Sequence, residues 1–331
     1  KILGSVERQR MQKTTNDMKI QTNELVRYQS QMSNILGRMK DYFIGGSVIA
    51  LSVGTLKEAF STIQDVDTAL TDFRKVTDLT KNEYSEFVDF ANQKAKELSG
   101  STADFIQSTA NFIQMGYQNV NEAKRLAEDS QVYMNVGELT NEEATKSLIT
   151  ILKSFNLEAS KSTEILDKTN QVANDFPITV KGLAGGMSRA GSVLKNASND
   201  IDQSIALLTT ANTSIQDPIR VSNGLKSIAL NLEKVKMKAG KATPKLQDMM
   251  MTLTHGRVSL VQANGEFKST YQIIKDLGAV WNDGTLKANE KALILQEVAG
   301  KHQANVLASL LSNAKDLDKI YEDSKNSAGS A

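Results

Sequence analysis

The chain has 331 residues, 40% of them apolar, 23% charged and only 5% aromatic, with a formal net charge of +1. That length allows two or three domains with a sizeable core, while the balanced charge singles out no class of partner, so any basic function has to be local. Cysteine is absent, which excludes a disulfide framework, a thiol nucleophile and cysteine metal sites, and leaves the compartment open.

Three prolines and an abundance of Leu, Ile, Ala, Lys, Gln and Asn favour an all-α chain. The start at Lys1 without an initiator Met and the polar end at Ser330-Ala331 read as a fragment or a cleaved piece. Residues 1–41 are expected to form a coiled-coil helix. Met11, Met18, Leu25, Met32 and Met39 recur at seven-residue spacing, with Tyr28, Ile35 and Tyr42 three residues after the last three. Thr14 and Gln21 weaken the first two heptads, so support from other copies is expected; an amphipathic helix folded back on the body is the alternative. Lys1 to Lys40 holds eight basic and three acidic residues, as a solvated coiled-coil face would. Residues 42–60 are expected as an apolar helix of small residues. Its uncharged part, Tyr42 to Leu56, would span roughly 22 Å as helix, short of the ~30 Å hydrocarbon core. A buried or oligomeric helix and a membrane-active segment are both open readings, and Gly45, Gly46, Ala50 and Gly54 suit close helix association in either.

Residues 61–240 read as a helical core of antiparallel helix hairpins, because helix starts fall about every twenty residues. Thr80 to Glu83 and Thr140 to Glu143 are capping boxes, Ser101 opens a helix, Asn119 or Asn121 opens the next, and Gly100 and Gly116 close two. Phe176-Pro177 stops one helix and Thr179 caps another, in which Gly182, Gly186 and Ala190 recur every four residues beside Ala184, Ser188 and Ser192. Such a stripe suits close packing against a neighbouring backbone. Asp200 caps a helix carrying Ile201, Ile205, Leu208 and Ile215. Asp217-Pro218 starts a third, with Val221, Leu225, Ile228, Leu232 and Val235 on one face. Residues 241–270 read as a linker and a small β-hairpin. Lys234, Lys236, Lys238, Lys241 and Lys245 sit in or beside the linker without an aromatic stacking platform, and Asn264-Gly265 is the hairpin turn between 258–261 and 266–268. Residues 271–323 are C-terminal helices, including one running from Leu286 through Leu311, and residues 324–331 are a flexible tail by composition.

The phrase from Asn174 to Leu232, with its small-residue helix, then "IDQSIALLTTAN", then "LKSIALNL", resembles the core region of phage tail tape measure proteins of the TP901 type. The resemblance extends over roughly Val66 to Leu311. It departs at the turn Ser214 to Pro218, where a Gly-rich segment is expected. The resemblance implies a structural virion protein of a long non-contractile (siphophage or prophage) tail: a few copies line the tail lumen, chain length sets tube length during assembly in the host cytoplasm, and the protein leaves ahead of the DNA at ejection. Implied partners are tail tube, tail assembly chaperones and distal tail proteins, with self-association through residues 1–41, and host membrane and phage DNA during ejection.

Chemistry-bearing patterns are sparse. Gly186 to Ser192 has the glycine spacing of a phosphate loop, but Ser192 and Val193 stand where Lys and Ser/Thr belong and no strand precedes. His255 and His302 lack a second ligand nearby and a nucleophile elbow, so no metal, cofactor or catalytic residue is assigned. Glu142-Glu143 sit in a first helical turn, where they favour the dipole. Cell-wall hydrolase modules occur in some tape measure proteins; no Cys-His or zinc-peptidase pattern is present, which leaves a carboxylate-based lysozyme open. The expectation is a non-enzyme, and the alternative function is a membrane-active or pore-forming helical protein using residues 42–56.

Overall fold

The computed structural model describes residues 56–331 apart from 239 and 240, together with scattered positions between 23 and 35, which are helical. All the seam positions of the expected coiled coil except Ile35 lie outside the described residues, as does most of the apolar segment 42–56. The chain divides into two compact units, Lys1–Glu128 and Asp129–Ala331, the division falling within the expected core.

Unit one holds α1 (Leu56–Val76), α2 (Lys81–Glu97), α3 (Thr102–Gln114) and the start of α4 (Val120–Gly137). Its starts follow the side-chain caps. Thr80 and Glu83 form the reciprocal capping box, Ser101 accepts from the Asp104 amide, and Asn119 accepts from the amides of Asn121 and Glu122. Gly116 closes α3 at φ 102° as expected, but at the end of α2 the left-handed residue is Ser99 (φ 56°), one place before Gly100. The Gly100 amide donates to the Ala95 carbonyl at 2.8 Å, so this glycine takes the following place in a Schellman closure. α3 packs against both α1 and α2. At the core of the unit Phe73 stacks on Phe87 with centroids 4.1 Å apart and meets the edge of Tyr84 at 5.8 Å.

Unit two continues α4 and adds α5 (Asn141–Phe155), a 3-10 turn into α6 (Ser162–Asp175), then α7 (Val180–Asn196), α8 (Ile201–Ile215) and α9 (Pro218–Leu232). A ribbon of two short strands follows, β1 (Val235–Lys238) and β2 (Lys241–Pro244), and then α10 (Gln247–Leu253), α11 (Thr270–Asn282), α12 (Ala288–Ser312) and α13 (Leu317–Lys325). α7 is the hub, packing against α5, α6, α8 and α9, and its most extensive partners, α5 and α9, are two elements away in sequence. Corners are tied by buried amides. The Asn199 side chain donates to the carbonyls of Leu194 (2.8 Å) and Ala197 (2.9 Å) and accepts from the Tyr271 amide at 2.8 Å, joining the α7–α8 corner to the start of α11.

The all-α class is right, and four details differ. The hairpin expected at 256–270 is not seen: around Gly265 (φ 86°) there is a turn and a single bridge, Val261 to Phe267. Two cross-strand bonds frame that bridge, the Lys268 amide to the Leu260 carbonyl at 2.9 Å and the Gln262 amide to the Glu266 carbonyl at 2.8 Å, but pairing goes no further, because the Leu260 amide donates to the Gln247 side-chain oxygen at 2.8 Å and the Glu266 amide to that of Asn264 at 3.0 Å. Strand pairing occurs instead where a linker is expected, between β1 and β2. The helix through Leu286 to Leu311 is broken at Gly300, whose φ 71° and ψ 169° suit glycine almost alone, and the Asn231 side chain satisfies the Val298 carbonyl there at 2.9 Å. The chain end also lies along α6. The Asp167 carboxylate accepts from the amides of Gly329 and Ala331, each at 2.9 Å, which holds a segment that composition alone reads as loose.

Candidate functional site

α7 begins where Thr179 accepts from the Gly182 amide at 2.9 Å, and it buries Leu183, Ala184, Met187, Ala190 and Leu194. Its glycines mark close approaches in three directions. A methyl on Gly182 would lie 2.8 Å from Pro218 at the head of α9, one on Gly186 would strike Leu208 of α8, and one on Gly191 would lie 3.0 Å from the Phe155 ring of α5. The expected contact surface is real, but what meets it at each of these glycines is a side chain rather than a backbone. Within the second small stripe Ala184 is buried, Ser188 half-buried and Ser192 exposed, so that stripe turns outward along the helix.

The outward edge of α7, together with α5 and the α8–α9 turn, encloses a cleft of about 740 Å³. Gly185 forms part of its floor, with nothing within 4 Å of where a methyl would stand. Leu139, Pro218 and the half-exposed Ile219 supply an apolar wall, and Lys146, Lys181 and Arg189 supply cations. Lys181 pairs with Glu143 at 2.9 Å. Glu143 also accepts the Thr140 amide of its capping box at 2.9 Å, and that hydrogen bond, with Lys181 behind it, holds its carboxyl below the usual range. The Glu142-Glu143 pair thus starts a helix and braces the cleft. It does not place two carboxylates across a reacting bond.

The α8–α9 turn shows how the Gly-poor sequence works. Gln216 adopts the left-handed conformation (φ 55°), and its side chain donates to the carbonyls of Asn212 (3.3 Å) and Thr213 (3.0 Å). Asp217 then caps the Arg220 amide at 3.0 Å with Pro218 at the first helical position. The departure at Ser214 to Pro218 therefore keeps a tight turn.

The remaining candidates for chemistry lie apart. Gly186 to Ser192 is helix interior, and no strand leads into it. His255 and His302 are both exposed, and among the described residues no group of three or more His, Asp or Glu side chains could hold a metal ion. The cleft's cations escape a motif search because they come from two helices. The spacing Lys181, Gly185, Arg189 on α7 does carry half of the signal, as one stripe at four-residue intervals. The arrangement offers a binding surface of apolar wall and cationic edge. A family model described as phage-related minor tail protein matches residues 92–311. No solved structure matches the chain.

Proposed function

The chain belongs to the family of phage-related minor tail proteins, and from that premise we propose that this structural component of the phage tail is a tape measure protein of the TP901 type. The observation that carries the finer reading is the ordered phrase of α7, α8 and α9, small-residue helix, "IDQSIALLTTAN" and "LKSIALNL", which lies inside the matched span. In this reading a few copies line the lumen of a long non-contractile tail, chain length sets tube length, and the protein leaves ahead of the DNA at ejection. A continuous helix rises about 1.5 Å per residue and so can serve as a ruler. The packed helices of residues 129–331 cannot be stretched to that extent while folded, so the measuring falls to other parts of the chain or follows unfolding. Residues 1–41 self-associate as a coiled coil, the tail tube, assembly chaperones and distal tail proteins are the partners, and the role is not enzymatic.

Interrupting the gene in the phage and measuring particles by electron microscopy tests this. Absent tails, or tails of irregular length, are the expected outcome; tails of normal, uniform length overturn the tape measure role. Among the described residues no helix is long and apolar enough to cross a membrane. Liposome binding by the chain with and without residues 42–56 would show whether that segment engages lipid.

A further inference from the structure

Three dipeptides in the chain place a glycine after an Asn or Asp: Asn223-Gly224, Asn264-Gly265 and Asp283-Gly284. They share a latent reaction. The nitrogen of the following residue can close on the side-chain carbonyl carbon to form a five-membered succinimide, and glycine, having no Cβ, crowds that closure least. The fold treats the three differently. Asn223-Gly224 lies inside α9, where the Gly224 amide belongs to the helix ladder and a methyl on the buried Gly224 would stand 2.7 Å from Val306. Helical backbone holds that amide away from the Asn223 side chain. Asp283-Gly284 is exposed, but the Asp283 carboxylate accepts from the Thr285 hydroxyl at 2.6 Å and amide at 2.9 Å and pairs with Arg257. Those partners, the Thr285 hydroxyl foremost, hold its carboxyl down at about 2, and the ionised group has no oxygen ready to leave.

We propose that Asn264 is a site of spontaneous deamidation in the folded protein, with water as the only co-reactant. Asn264, Gly265 and Glu266 are all exposed, in a turn where Gly265 adopts φ 86° and no atom comes within 4 Å of where its side chain would stand. The Glu266 amide donates to Asn264 Oδ1 at 3.0 Å, and Asn264 Nδ2 donates to the Glu266 carboxylate at 2.9 Å. The Asn264 side chain is thereby folded toward the amides that follow it. The donor on Oδ1 also faces the atom on which negative charge develops as the carbonyl carbon is attacked. In the step itself the Gly265 nitrogen loses its proton to water or hydroxide and bonds to Asn264 Cγ, the Cγ–Nδ2 bond breaks, and the side-chain amide leaves as ammonia. Water then opens the succinimide at either carbonyl, leaving an aspartyl or an isoaspartyl residue at position 264. One contact opposes the attack, the Gly265 amide donating to the Gln262 carbonyl at 3.0 Å, and it lies in the exposed turn, where local opening costs least. The product alters the turn. A second carboxylate replaces the Nδ2 donor beside Glu266, and the isoaspartyl form adds a backbone atom inside the loop that the bond from the Gln262 amide to the Glu266 carbonyl closes. The site does not depend on the tape measure reading.

The test is to incubate the whole 331-residue chain, folded and in urea, in mildly alkaline buffer and to map its peptides by mass spectrometry, with isoaspartate read by enzymatic methyl transfer to its free carboxylate. In the folded protein the peptide holding Asn264 should gain aspartate and isoaspartate about tenfold or more faster than the one holding Asn223, because the interior of α9 has to open first. In urea the two rates should converge. The variant Asn264→Gln, whose longer side chain would have to close a six-membered ring, should lose the isoaspartate signal of the folded protein. Asn264 left intact in the folded chain over an interval in which the urea sample converts would overturn the proposal. So would equal rates at 264 and 223 in the folded chain, or an undiminished signal in Asn264→Gln.

Discussion

A methyl group has opposite consequences at Gly185 and Gly186, adjacent residues of one helix. At Gly185 it meets nothing within 4 Å, so Gly185→Ala is expected to stabilise by about 0.5–1 kcal/mol through helix propensity alone. At Gly186 it strikes the buried Leu208 side chain, and Gly186→Leu should cost about 1–3 kcal/mol. Gly186→Ala should fall between, because its propensity gain offsets part of the clash. Urea unfolding of the three variants decides this, and a Gly186→Leu protein more stable than the parent would mean that Leu208 does not hold that face. Tyr133 makes the converse case. It is completely buried and its hydroxyl, beside Thr169, makes no well-formed hydrogen bond, so Tyr133→Phe should be neutral or stabilising by about 1 kcal/mol. Burial pushes its phenol up to about 12 from an ordinary 10. A group whose folded pKa is raised keeps its full contribution below the unfolded pKa and loses it as pH rises through the folded one. The advantage of the Phe variant should therefore widen between pH 10 and about 12, by roughly 2 kcal/mol at the top of that window. A constant difference across that range would show that the phenol reaches solvent.

At the scale of the element, the ends of helices obey their caps while the interiors obey their neighbours. Thr80, Ser101, Thr140, Thr179, Asp200 and Asp217 all cap the helices that follow them, because a side-chain oxygen within reach of an orphan amide is a local device. Two backbone positions in the left-handed half of conformational space are less local. Gln216 bears the steric cost of φ 55° with partial compensation from two side-chain bonds. Gln216→Gly should accordingly raise the thermal midpoint, by the equivalent of about 0.5–1 kcal/mol. Gly300, at φ 71° and ψ 169° inside α12, should not tolerate a side chain: Gly300→Ala is expected to destabilise by about 1–3 kcal/mol despite alanine's helix propensity. If calorimetry finds Gly300→Ala more stable, α12 is free to straighten and the break is not imposed by its surroundings.

At the scale of the molecule, unit two is closed by contacts between chain positions far apart. Lys168 of α6, only 4% exposed, lies 2.7 Å from Asp202 of α8 and 3.2 Å from Glu164, and the Ser324 hydroxyl of α13 donates to the same Asp202 oxygen at 2.6 Å. Removing Asp202 leaves buried Lys168 with only the more exposed Glu164 as counterion and the Ser324 hydroxyl without its acceptor, so Asp202→Leu alone should cost about 1–3 kcal/mol. The double variant Lys168→Met/Asp202→Leu should recover most of that loss, since an apolar pair of similar volume needs no counterion. A double-mutant cycle by chemical denaturation measures the coupling, and simple additivity of the two losses would mean that the pair is solvated.

What the sequence by itself determined is whatever depends on neighbours along the chain: the all-α class, the capped starts, the small stripe of α7, and the ordered phrase of α7 to α9 whose resemblance points to phage tail proteins. The family match over 92–311 agrees with that phrase at the level of a tail protein. Only the tertiary structure decided what depends on partners distant in sequence. Leu208, Pro218 and Phe155 as the neighbours of the glycines and the hold of Asp167 on the chain end leave no periodic trace, and the cleft leaves only its α7 half, Lys181 and Arg189, because each contact joins separate elements. The ribbon shows the division most sharply. Asn264-Gly265 is a strong local signal for a hairpin, yet the Gln247 and Asn264 side chains take up the Leu260 and Glu266 amides that would extend its ladder. In the lysine-rich run the strands pair instead. A backbone donor goes to the acceptor that folding brings within reach, and a turn propensity of local origin does not outweigh that.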